Sequence, residues 1–124
     1  MLNEANEGND FKDLVKPISS EPIIKKNVNG AFIGTDLKEQ LHNLKITKLV
    51  IVGLTTDHCI STTTRMAGNL GFDTFLVSDA TATFNKKGPE GQNYPAELIH
   101  AIALASLNDE FAKIVTTEFL KQKI

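Results

Sequence analysis

Short apolar runs alternate with amphipathic segments along most of this chain, and the alternation predicts strands that alternate with helices. Residues 49–52 form an unbroken apolar run, which is typical of a strand buried on both faces of a parallel sheet. Residues 72–79 and 113–116 predict the next and the last strand of the same sheet. A shorter run at residues 22–26 predicts one further strand nearer the N-terminus.

Helices are predicted on either side of the central apolar run. The first begins at a cap formed by Thr35 or Asp36 and ends near residue 44, because leucines recur there at helical spacing. The second spans residues 57–70, and Gly71 follows at the position where a C-terminal cap is expected.

Two more helices are predicted towards the C-terminus. Residues 95–107 have helical periodicity, and the pattern places Leu98, Ile102 and Ala105 on the inward face. Residues 118–123 form a short terminal helix in this interpretation.

The order strand, helix, strand, helix, strand requires parallel pairing with right-handed crossovers. The expected fold class is therefore α/β, an open, mainly parallel sheet with helices on both faces in a Rossmann-like three-layer arrangement. We expect residues 1–124 to form one domain, with residues 1–21 as an irregular, polar lead-in. Ligands of such sheets collect beyond the carboxyl ends of the strands.

Composition excludes several classes of function. The chain has 124 residues and a net charge of -2, so no basic excess favours nucleic acid as a partner. No apolar run is long enough to span a bilayer, and one cysteine cannot form an internal disulfide, so we expect no membrane partner and a cytoplasmic location. The three histidines lack zinc-type spacing with the cysteine, and no metal or other cofactor is expected.

The single cysteine, Cys59, follows the central apolar strand directly and opens the next helix. The first turn of a helix carries unpaired N–H groups and the positive end of the dipole, which favours a thiolate over a thiol. Lys26, residues 55–59 and Asp79 all fall at predicted carboxyl ends of strands. Two alternatives stay open: Cys59 as an inert buried side chain, and Lys26 as a solvated charge at a strand end.

These residues stand in segments that resemble the isochorismatase-like cysteine hydrolases, the group that includes nicotinamidases and related amidohydrolases. The resemblance covers most of the chain from about Glu21 onward, and it is the ordered combination of segments that is specific. The matching segments are residues 26–37, 49–65, 71–72, 79–84 and 100–111.

The resemblance implies that Cys59 is the catalytic nucleophile and Lys26 the catalytic lysine, with a cis peptide between Leu54 and Thr55. It further implies an oxyanion hole made by the backbone N–H groups of Thr55 and Cys59. A thiol nucleophile suits amide hydrolysis through a thioester acyl-enzyme, so the expected substrate is a small amide-type molecule.

The chain departs from the family pattern in one respect. The family's third catalytic residue, an aspartate in an Asp-x-Gln-like context on an N-terminal strand, has no counterpart in this sequence. We therefore expect the hydrolase domain to lack its N-terminal part. One missing strand would lie at the middle of the sheet, between the strand that carries Lys26 and the strand that leads into Cys59, so its loss would separate the two halves of the site. We expect such a chain to be marginally stable alone or dependent on association, and we expect it to form a homo-oligomer.

Two aspartates and a histidine have alternative roles. Asp57 and Asp79 could each replace the absent carboxylate. The competing interpretation of Asp57 is that it serves the helix start, and that of Asp79 is that it braces a neighbouring loop. His58 either lines the site or is merely exposed. The alternative function is a catalytically inactive remnant that acts only as an assembly or interaction subunit.

Overall fold

The computed structural model describes residues 10–123, and its helices and strands follow the alternation read from the sequence. A 3-10 turn spans Asp13–Val15 and precedes the regular elements. In chain order these are α1 (Leu37–Asn43), β1 (Lys48–Leu54), α2 (Cys59–Asn69), β2 (Asp73–Ala82), β3 (Lys86–Lys87), β4 (Asn93–Tyr94), α3 (Ala96–Leu107), β5 (Lys113–Val115) and α4 (Thr117–Lys123). None of the helices in residues 10–123 is long and apolar enough to cross a membrane.

The main sheet has three strands in the order β1, β2, β5, and both pairings are parallel. Ile51 of β1 lies opposite Leu76 of β2, and Leu76 lies opposite Ile114 of β5. α2 and α3 contact each other and the sheet, while α4 contacts β2. The expected α/β class with a parallel sheet and flanking helices is confirmed.

The pairing of β1 with β2 is interrupted by a bulge. Ile51 pairs with Leu76, but the next paired residues are Gly53 and Thr81, so β2 contains three extra residues between these two pairs. The bulge is braced by the Thr81 hydroxyl, which donates to the carbonyl of Val77 at 3.2 Å. Backbone groups in a bulge are released from the ladder and can bond elsewhere.

The hydrophobic core lies between the sheet, α2 and the end of α3, where Ile60, Leu76, Leu107 and Ala112 form one buried cluster. The face of α2 that contains Ile60, Thr64 and Ala67 is buried. Gly71 follows the end of α2 with a φ of 91°, which an L residue with a side chain adopts only under strain.

The predicted inward face of α3 is wrong. Leu98 is 44% exposed and Ile102 57% exposed, while Leu107 is fully buried and Leu104 packs against the core cluster. α3 is apolar around most of its circumference, so the spacing of its apolar residues does not distinguish one face from another.

Two further expectations fail in the described part of the chain. Residues 22–26 form no strand and belong to neither sheet of residues 10–123. β1 is covered on one face only, and Val50, Val52 and Leu54 on its other face are each at least half exposed. A small antiparallel hairpin, β3 with β4, was not expected from the sequence.

The open side of β1 generates the first testable prediction. Within residues 10–123 only β2 pairs with β1, so its second edge and its exposed apolar face are available to another polypeptide. We expect the thermal unfolding of this chain, followed by circular dichroism, to be broad or to shift with protein concentration. V52T should weaken the concentration dependence, whereas V15T, outside the sheet, should not. A sharp melt that is independent of concentration would contradict this expectation.

Candidate active site

The thiol of Cys59 lies at the first residue of α2 and is partly exposed. The Sγ atom is 3.3 Å from Nζ of Lys26 and 3.6 Å from Oδ1 of Asn29. The expected separation of Lys26 from Cys59 is therefore wrong. Asn29 was not singled out in the sequence, although it stands in the turn-forming stretch directly after Lys26.

The Lys26 ammonium is held by its own loop. Nζ also donates to the carbonyl of Val28 at 3.0 Å, so the chain from Lys26 to Asn29 curls around the charge. The loop then docks on α2: the amide of Ala31 donates to the Thr63 hydroxyl at 3.0 Å. Gly30 is buried at this contact, and a Cβ there would lie 3.2 Å from Cγ2 of Thr62. A direct contact between loop and helix thus replaces the strand pairing that the sequence suggested.

The turn between β1 and α2 contains the expected cis peptide between Leu54 and Thr55. The amide of Thr56 donates to the carbonyl of Ala82 at 2.9 Å, and those of His58 and Ile60 donate to the carbonyl of Thr55. Within residues 10–123 the amides of Thr55 and Cys59 make no hydrogen bond. Two backbone donors next to the thiol are therefore available for a ligand.

A histidine on α3 binds this turn. Nδ1 of His100 lies 2.7 Å from the hydroxyl of Thr56, and Nε2 lies 3.1 Å from the carbonyl oxygen of Ser78 in the β2 bulge. Thr56 is fully buried. The role of His100 was not foreseen, although His100 is the one histidine of a mostly apolar helix and begins the matching segment 100–111.

Asp57 binds Thr83 and Lys86, in the segment that leads into and includes β3. Its carboxylate accepts hydrogen bonds from the Thr83 hydroxyl at 2.5 Å and from Lys86 Nζ at 2.7 Å. Partial burial raises the pKa of Asp57, but the hydrogen bonds from Lys86 and Thr83 outweigh it and hold the pKa below its ordinary value. No side chain caps α2, so the helix-start interpretation of Asp57 is wrong.

His58 and Asp79 also contact polar partners other than Cys59. Nε2 of His58, a half-exposed side chain, lies 2.8 Å from Nζ of Lys86. Asp79 accepts hydrogen bonds from the amide and the hydroxyl of Thr117 at 2.8 and 2.9 Å, and these bonds lower the pKa of its carboxyl group. Asp79 thus braces the start of α4, as one of its two interpretations held, and in the described chain neither aspartate hydrogen-bonds Cys59.

A cleft of about 300 Å³ lies beside the turn, between α2 and the outward face of α3. Asp57 lies at this cleft, but Cys59 and Lys26 do not line it. Its walls are formed by Asp57, Ser61, Arg65, Tyr94, Leu98, Ile99, Ile102, Ala103 and Ser106. In residues 10–123 no group of three or more histidine, cysteine or acidic side chains is arranged to hold a metal ion.

Comparison with known proteins adds to this geometry. The chain matches the Isochorismatase domain over residues 2–119. It is 55% identical over 120 residues to the isochorismatase family protein YrdC of Bacillus subtilis, covering 97% of this chain and 64% of that protein. It is 31% identical over 104 residues to Nicotinamidase 3 of Arabidopsis thaliana, covering 84% of this chain and 47% of that protein.

A solved structure gives the same result for the fold. The crystal structure of an isochorismatase from Pseudomonas putida KT2440 matches with a TM-score of 0.88 and 31% identity, over 93% of this chain and 59% of that one. The chain thus spans between about half and two thirds of the length of the three proteins compared.

The ion pair between Asp57 and Lys86 generates the second prediction. Because the pKa of Asp57 is lowered in the folded state, the pair stabilises the fold above about pH 4, and this stabilisation is lost as the pH falls further. We expect K86M to lower the free energy of unfolding by about 1 kcal/mol at neutral pH and by less at pH 3, measured by urea denaturation.

Lys87, its exposed neighbour on β3, provides the matched control. K87M should leave the free energy of unfolding within about 0.5 kcal/mol of the unsubstituted protein at both pH values. Equal losses for K86M and K87M, or a loss for K86M that does not depend on pH, would contradict this assignment.

Proposed function

The chain belongs to the isochorismatase family of hydrolases and is related to nicotinamidases, and we propose that it hydrolyses a small amide-type substrate through a thioester on Cys59. The observation that carries this proposal is the 3.3 Å contact between the Lys26 ammonium and the Cys59 sulfur. An ammonium at this distance and a helix start both favour negative charge on the sulfur. The thiolate, not the thiol, is the nucleophile in such a reaction.

The proposed reaction begins with attack of the sulfur on the carboxamide carbon. The carbonyl π electrons move to the oxygen, which accepts hydrogen bonds from the free amides of Thr55 and Cys59. When the oxyanion collapses, the carbon–nitrogen bond breaks and the amine leaves with a proton. Water then attacks the thioester, which releases the carboxylic acid and regenerates Cys59.

The proton for the departing amine needs a carrier close to the sulfur. Asp57 and Asp79 are both bound to other partners, which argues against either as the carrier. We propose that a carboxylate reaches the site on polypeptide that pairs along the open edge of β1. The homo-oligomeric state, the cytoplasmic location and a single domain over residues 1–124 stay predictions.

The second candidate function is a catalytically inactive subunit that acts only in assembly. The exposed apolar face of β1, formed by Val50, Val52 and Leu54, favours it. The two candidates differ in what they require of Cys59, since an assembly subunit needs no ionised sulfur.

The state of Cys59 provides the third prediction. We expect iodoacetamide to alkylate Cys59 rapidly at a pH at which free cysteine reacts slowly, because the ammonium of Lys26 favours the thiolate. K26M should slow this alkylation at neutral pH roughly tenfold, and K26R, which keeps the positive charge, should slow it less. The rate is measured by mass spectrometry of the peptide that contains Cys59, the only cysteine in the chain.

The control is K48M, at the opposite end of β1 from Cys59, which should leave the rate unchanged. Alkylation that follows the pH profile of free cysteine, with K26M indistinguishable from K48M, would contradict an activated nucleophile and favour the assembly function.

A further inference from the structure

We propose that His100 is a positioning residue that holds the turn between β1 and α2 in the shape in which the amides of Thr55 and Cys59 can receive an oxyanion. This inference rests on the function proposed above and extends it to α3. It starts from the two contacts of the imidazole ring, with the Thr56 hydroxyl and the Ser78 carbonyl.

The contacts of His100 determine which ring nitrogen carries the hydrogen. A carbonyl oxygen only accepts hydrogen bonds, so Nε2, at 3.1 Å from the oxygen of Ser78, is the donor. In a neutral imidazole Nδ1 is then an acceptor, and the hydroxyl of Thr56, at 2.7 Å, donates to it. His100 therefore links two groups that need opposite partners, which a lysine or a carboxylate in its place could not do.

Both partners of His100 are fixed in the fold. Ser78 lies in the β2 bulge, and its own hydroxyl donates to the carbonyl of Val115 at 3.2 Å. Thr56 is fully buried, and its amide donates to the carbonyl of Ala82 at 2.9 Å. The ring thus links the turn to the Ser78 carbonyl in β2, and the Ala82 carbonyl in β2 binds the same turn through the Thr56 amide.

Thr56 lies between a proposed oxyanion donor and the start of α2, so its bond to His100 affects both. Thr56 directly follows Thr55, whose amide is free and whose carbonyl accepts the bonds from His58 and Ile60 that start the helix. A rotation of the Thr56 backbone would therefore move the Thr55 amide and the first turn of α2 together. Fixing donors before the reaction is what makes an oxyanion site effective.

Asparagine and glutamine at position 100 separate the two contacts of the ring. The side-chain oxygen of asparagine can occupy the place of Nδ1, so H100N keeps the acceptor for Thr56 and loses the bond to Ser78. The side-chain nitrogen of glutamine can reach the place of Nε2, so H100Q keeps the bond to Ser78 and loses the acceptor. T56V removes the hydroxyl with little change of shape, and T56S keeps it.

The first measurement is hydrogen exchange of the Thr56 amide by NMR in the 124-residue chain. We expect exchange to accelerate roughly tenfold in H100Q and T56V, and to stay near that of the unsubstituted protein in H100N and T56S. The amide of the buried Ala67, in the last turn of α2, is the internal reference, because a general loss of stability would accelerate its exchange as well. Equal behaviour of all four variants would overturn the proposal.

The second measurement tests the site directly with pyridine-3-carbaldehyde. Cys59 adds to this aldehyde by forming a carbon–sulfur bond, and the carbonyl oxygen takes the electron pair and then a proton. We expect H100Q and T56V to weaken this reversible capture roughly tenfold, with the rate of iodoacetamide alkylation unchanged within about twofold.

The outcomes separate this inference from the proposed function. If the unsubstituted protein captures no aldehyde, the proposed function fails for a pyridine carboxamide as the substrate, while the exchange of the Thr56 amide still decides the role of His100. If capture is normal in H100Q and T56V, His100 does not position the oxyanion site. Nitrogen-15 shifts of His100 should show a hydrogen on Nε2, and a hydrogen on Nδ1 alone would also overturn the proposal.

Discussion

The turn that connects β1 to α2 is the constraint on which the rest of the site depends. It is attached to β2 through the Thr56 amide and to α3 through the Thr56 hydroxyl, and Asp57 attaches it to Thr83 and Lys86 beyond β2. These bonds occupy the amide and hydroxyl of Thr56 and the carboxylate of Asp57, and within residues 10–123 the two amides beside the thiol make no hydrogen bond. Cys59 starts α2 where it does because the turn before it is held.

Hydrogen bonds to the Asp57 carboxylate also explain why this residue is a poor candidate for the proton carrier of the proposed reaction. Asp57 is the acidic residue nearest to Cys59 in the chain, yet its oxygens are occupied by a lysine and a threonine that hold β3 in place. A carboxylate in such a pair would lose the pairing by accepting a proton, so it is a poor carrier of protons. Nearness in sequence therefore identified a structural aspartate, and the proposed proton carrier has to come from elsewhere.

Much of the fold follows from sequence pattern, and the limits of that pattern have physical causes. The strand before Cys59 and the helix after it were predicted correctly, because an unbroken apolar run is followed by a helical segment that ends before Gly71. The face of α3 was not, because that helix is apolar nearly all round. Residues 22–26 have the composition of a strand, but a strand forms only where a neighbour supplies hydrogen bonds.

The candidate site shows the same division. Cys59 and Lys26 were identified from their positions and from the resemblance, and the structure brings them into contact. Asn29 and His100 were missed, because nothing in their spacing indicates which partner they meet in space. Contacts such as that of His100 with the bulge of β2 depend on a register shift that leaves no mark in the pattern of apolar residues.

The central proposal, that the Lys26 ammonium beside the sulfur of Cys59 favours a thiolate there, is most directly tested by infrared spectroscopy of the S–H stretching band. The chain contains one cysteine, so the band has a single source. The account predicts a weaker band at neutral pH in the unsubstituted protein than in K26M. A band of full strength at neutral pH in both the unsubstituted protein and K26M would contradict the account.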